Sequence, residues 1–85
     1  MNLNPVGISI LPVEVTNISQ HGIWLLADHR EFFMSYQDFP WFKEAKVREI
    51  IHVEQLHPGH FYWPDLDVDL SIEVIENPNH FPLVS

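Results

Sequence analysis

Between residues 13 and 36 the apolar residues fall into three short strand-like runs, two of them with the two-residue period of a half-buried strand. In VEVTNI (13–18), Val13 and Val15 alternate with Glu14 and Thr16, the pattern of a strand with one buried face. IWLLA (23–27) is almost wholly apolar, which suits a central strand. EFFMSY (31–36) alternates again, with Phe32, Met34 and Tyr36 on one face and Glu31, Phe33 and Ser35 on the other. Turn signals at His21-Gly22 and Asp28-His29-Arg30 separate the runs, so the pattern predicts a three-stranded antiparallel meander.

The period changes after Tyr36. Asp38 is placed to cap a helix that tolerates Pro40 in its first turn, and Phe39, Phe42 and Ala45 set against Lys43, Glu44 and Lys46 predict a short amphipathic helix over 39–46. The β-branched residues Ile50, Ile51 and Val53 favour a strand over 49–56, although VREIIHVEQL also fits a helical period. A turn at His57-Pro58-Gly59 then folds this segment onto HFYW (60–63), a β-hairpin that Pro64 ends. Phe61 and Trp63 share a face and are expected in the core. SIEVIEN (71–77) reads as a two-turn helix capped by Asp69 or Ser71 and stopped by Pro78, with the tail extended on the surface and anchored by Phe81 and Leu83. The sum is an α+β fold of meander, helix, β-hairpin and short C-terminal helix, in one domain over 1–85, with the helices on one side of a single sheet.

Composition narrows this picture. In 85 residues one core is available, and 46% hydrophobic and 13% aromatic residues are enough to fill it. Cysteine is absent, which excludes disulfides, thiolate nucleophiles and Cys-ligated metal. The start MNLNPVGISI has no basic region and no long apolar run, so it does not read as a signal peptide or membrane span, and a cytoplasmic protein is expected. A net charge of −8 opposes binding to nucleic acid or to an anionic membrane. The four cations, Arg30, Lys43, Lys46 and Arg48, read as solvated positions rather than a phosphate site.

Two strings are distinctive: FPWFKEA (39–45) and FYWPDLDVDLSIEVI (61–75), the latter with the block Trp63-Pro64-Asp65-Leu66-Asp67-Val68-Asp69-Leu70. With the preceding meander they resemble the small bacterial family of uncharacterised proteins catalogued as domain of unknown function 2442, over nearly the whole chain. The resemblance implies an α+β fold and carries over no catalytic residue.

The acidic run also places Asp65, Asp67, Asp69, Glu73 and Glu76 at the first, third, fifth, ninth and twelfth positions of a calcium loop. Leu70 stands where that loop needs glycine, so the run reads first as a helix-capping, solvent-facing acidic turn, and Asp65, Asp67, Asp69 and Glu76 remain weak metal candidates. His57 and His60, held close by the Pro-Gly turn and joined by His52 from the adjacent strand, are a second weak metal candidate. Serines lie in no nucleophile elbow, and three glycines make no phosphate loop. The sequence therefore predicts no catalytic residue and no cofactor. Aromatic residues on both faces of EFFMSY and HFYW predict a face covered by a helix or a second chain. The leading expectation is a non-enzymatic protein-interaction module, a homodimer or the binder of a small protein partner, with Phe33 and Tyr62 as contact residues. The alternative is a small-molecule- or metal-binding accessory protein using the 57–63 hairpin and the acidic turn.

Overall fold

The structure, a computed structural model, describes residues 11–80. Its elements are β1 (Glu14–Ile18), β2 (Gly22–Ala27), β3 (Arg30–Ser35), a 3₁₀ turn (Pro40–Phe42), α1 (Val47–Ile51), β4 (Glu54–His57), β5 (His60–Trp63), β6 (Val68–Ser71), α2 (Ile72–Glu76) and a second 3₁₀ turn (Pro78–His80). The α+β class holds and the meander is present, with β2 central. The single sheet is corrected: the strands form two antiparallel three-stranded sheets, β1-β2-β3 and β4-β5-β6.

The two sheets share one core. Ile23, Leu25, Ala27, Phe32 and Met34 from the first join Phe61, Trp63, Val68 and Leu70 from the second, with Phe39, Phe42, Ile50 and Ile75 from the connections and helices. The rings of Phe32 and Phe61 lie 6.3 Å apart across the two sheets. Trp63, fully buried, packs edge-on against Phe42 at 4.9 Å and donates its indole N–H to the carbonyl of Ile50 at 2.8 Å. That bond satisfies both a buried donor and a carbonyl at the end of α1, which has no partner within its own helix.

Turn chemistry sets the registers. Asp28 and His29, both at positive φ (53° and 63°), close the β2–β3 hairpin in the conformation of a type I′ turn. Pro58 and Gly59 turn the chain between His57 and His60 in the manner of a type II turn, with proline's fixed φ first and Gly59 at φ 77° second, and there glycine is needed for its backbone. Gly22 is needed for space: a Cβ there would collide with the carbonyl of Met34 and sit 2.9 Å from the ring of Phe33.

Three local predictions are corrected. The predicted 39–46 helix is only the 3₁₀ turn at Pro40–Phe42, and Asp38 caps nothing there, its own N–H bonding to Ser35 Oγ at 3.1 Å. The three-residue spacing of buried Phe39 and Phe42 fits that tighter turn. The predicted 49–56 strand divides: Val47–Ile51 is helical, with the Glu49 carboxylate accepting from the Lys46 N–H at 2.9 Å, and the strand begins only at Glu54. Val68–Ser71, read as an acidic turn, is a strand pairing with β5 from His60–Ser71 to Trp63–Val68. The closing helix lies where expected, and Ser71 caps it by accepting from the Val74 N–H at 3.3 Å. Phe81 and Leu83 lie outside the described residues.

Buried Gln55 holds the second sheet to its surroundings. Its side chain donates to the carbonyl of Pro12 and accepts from the N–H of Gly59, each at 2.8 Å, while its backbone carbonyl accepts from Leu11 at 3.0 Å. A fully buried amide with both ends bonded costs little, whereas the same amide unpaired is expensive.

Candidate functional site

With their inner faces committed to the core, the sheets leave two outer faces of different chemistry. On the first sheet, Glu14, Leu26 and Glu31 form one cross-strand row and Asn17, Trp24 and Phe33 the next. The Trp24 and Phe33 rings lie 5.1 Å apart and tilted, and Phe33, 40% exposed, reaches back over Gly22. This is a small apolar face whose charged residues stand on one row only.

On the second sheet, Glu54, Tyr62 and Asp69 form one row and His60 pairs with both His57 and Ser71 in the next. The Tyr62 hydroxyl donates to Asp67 at 3.3 Å. Loss of hydration and the carboxylates of Asp67, Glu54 and Asp69 together push the Tyr62 phenol above its ordinary range. Leu56, His57, His60, Tyr62 and Asp69 line an open depression of about 250 Å³. A second depression, about 390 Å³, lies among Pro12, Val13, Glu14, Leu26, Ala27, Asp28 and His29.

The expected site residues are distributed over these faces. Phe33 and Tyr62 stand on the outer faces of different sheets, so they are not one contact patch. His57 and His60 do approach, their rings 6.2 Å apart and edge to face. His52 does not join them: it follows α1, and its Nδ1 lies 2.8 Å from Asp65, with Nε2 3.7 Å from Glu54. The bond to Asp65 is the main reason its imidazole titrates above the ordinary range, with Glu54 adding to the effect. Of the acidic candidates, Asp65 is thus held by His52, Asp67 occupies the β5–β6 turn at φ 53°, Asp69 lies on β6, and Glu76 pairs with Arg30 of β3. An extended strand through Val68–Ser71 is incompatible with the closed loop that calcium spacing suggested. Among the described residues no group of three or more histidine and carboxylate side chains is placed to hold a metal ion.

Sequence reading missed the His52–Asp65 pair and the role of Gln55, neither of which has a local signature. It also missed the strand that carries Asp69, although Val68 and Leu70 alternating with Asp67 and Asp69 gave that signal. No helix among the described residues is long and apolar enough to cross a membrane.

No curated protein and no solved structure matches the chain. A family model does, over residues 12–81, a span that holds both sheets, both outer faces and the block from Trp63 to Leu70. The chain therefore belongs to the family described as protein of unknown function (DUF2442).

Proposed function

We propose that the protein is a non-enzymatic protein-interaction module that self-associates through the outer face of β1-β2-β3. The observation that carries this reading is the Trp24–Phe33 pair, two aromatic rings in tilted contact on the solvent side of a sheet whose other face already supplies the core. A monomer gains little from placing them there, and apolar area on a flat sheet is the ordinary currency of protein association. A second copy suits the face because its central row, Asn17–Trp24–Phe33, carries no charge, so two such rows stack without opposing the glutamates of the neighbouring row.

Sedimentation equilibrium tests it. The expected result is a dimer at micromolar concentration with weak dependence on salt, reduced to a single 10.0 kDa species by Phe33→Ser. A wild-type chain that stays monomeric to several hundred micromolar overturns the reading. The alternative, a small-molecule- or metal-binding accessory protein, has the His57–His60 depression in its favour. That depression is open, however, unlike the enclosed pockets that bury most of a small ligand's surface.

A further inference from the structure

The outer face of the second sheet carries an inference independent of self-association. Tyr62 lies between Glu54 on β4 and Asp69 on β6, in register, with Asp67 at its hydroxyl, so one aromatic ring has carboxylates on both flanks and at its tip. The depression beside it exposes the ring together with Asp69, His57, His60 and the side chain of Leu56, which is 42% exposed.

All four lysines and arginines of the chain lie elsewhere: Arg30 on β3, Lys43 and Lys46 between the 3₁₀ turn and α1, and Arg48 in α1. Among the described residues, the only such cation in an ion pair is Arg30, with Glu76. Among the described residues, Asp67 and Asp69 thus face solvent with no lysine or arginine paired to them. The mutual repulsion of these carboxylates around a partly desolvated ring is relieved by a cation supplied from outside. An aromatic face edged by carboxylates is suited to an arginine or lysine side chain, which gains both cation–π and charge-assisted contacts, while Leu56 receives its aliphatic stem.

We propose that the outer face of β4-β5-β6 is the docking site for a basic segment of a partner protein, which places an arginine or lysine side chain over Tyr62 between Glu54 and Asp69. Charge complementarity selects that occupant: the chain carries a net charge of −8, and a second copy would bring like charges together here. The site differs in chemistry and position from the Trp24–Phe33 face.

The test is titration of the full chain with a capped tetra-arginine peptide, followed by backbone amide NMR, with capped tetraglutamate and spermidine as controls. The expected result is saturable shifts at Glu54, His57, His60, Tyr62 and Asp69, with no response to tetraglutamate. Tyr62→Ala and Asp69→Asn should each weaken binding about threefold to tenfold, the range expected for one exposed cation–π or charge contact. Tyr62→Phe, which keeps the ring and the fold, should bind nearly as the wild type. Shifts spread evenly over Glu14, Glu31, Glu73 and the other surface carboxylates, or spermidine binding as tightly as the peptide, would overturn the proposal. So would Asp69→Asn binding unchanged. Because the titration is read on monomer at low concentration, its failure leaves self-association standing, and a monomeric wild-type chain leaves this site standing.

Discussion

The two sheets have the same number of strands, the same antiparallel pairing and a shared core, yet their outer faces differ. The first presents Trp24, Leu26 and Phe33, with its glutamates confined to one row. The second presents Glu54, Tyr62, Asp69, His57 and His60. Strand alternation requires only that one face be apolar, so the inner faces follow from folding and the outer faces are free to differ. The two outer faces therefore differ in chemistry, apolar on one side and charge-led on the other.

The inner faces differ as well, and the largest expected effects fall there. Trp63→Ala removes the Phe42 contact and the bond to Ile50, and should cost about 3–5 kcal/mol in denaturant unfolding, most of a small domain's stability. Near-native stability would mean that the second sheet is not anchored by its aromatic core. Gln55→Ala comes next: it strands the Gly59 N–H and the Pro12 carbonyl, for about 2–4 kcal/mol in the same assay. No equivalent exists on the first sheet, whose buried residues are all apolar.

Outer-face substitutions should cost the monomer about 1 kcal/mol or less, and their value lies in how they separate the faces. Phe33→Ser should abolish self-association and leave tetra-arginine binding unchanged, while Tyr62→Ala should weaken tetra-arginine binding about threefold to tenfold and leave self-association unchanged. Sedimentation and NMR titration of the two variants together check this, and either variant impairing both activities merges the faces into one.

The smallest effect concerns His52. Its folded-state titration point is raised, chiefly by the bond to Asp65, so the pair stabilises the fold below the ordinary value of 6.5 and this contribution is lost as pH rises through the higher folded value. Asp65→Asn should lower the His52 midpoint in an NMR titration and remove that slope from the stability profile. An unchanged midpoint would show that Asp65 does not hold the ring.

The sequence made the first sheet more legible than the second. Two alternating runs flanking one apolar run, with strong turn residues between them, gave β1–β3 to within a residue or two, because each run is short, strand-like and bounded by its own turn. In the second half the same residues carried competing signals. Ile50 and Ile51 favour strand by propensity, but Val47–Ile51 is helical because Ile50 is buried and the Trp63 indole bonds its carbonyl, a contact thirteen residues away. Asp67, Val68, Asp69 and Leu70 alternate like a strand, but their charge and calcium-like spacing suggested a turn. Of the candidate sites, the His57–His60 approach was readable from the Pro-Gly turn. The Glu54–Tyr62–Asp69 row was not, since it depends on the pairing of β4, β5 and β6.

Backbone amide NMR of the unmodified chain over a dilution series, from several hundred micromolar downwards, tests the central claim of functionally distinct faces most directly. The account predicts concentration-dependent shifts at Asn17, Trp24, Leu26 and Phe33, with Glu54, Tyr62 and Asp69 unmoved. Shifts centred on Tyr62, or none at any residue across the series, would contradict it.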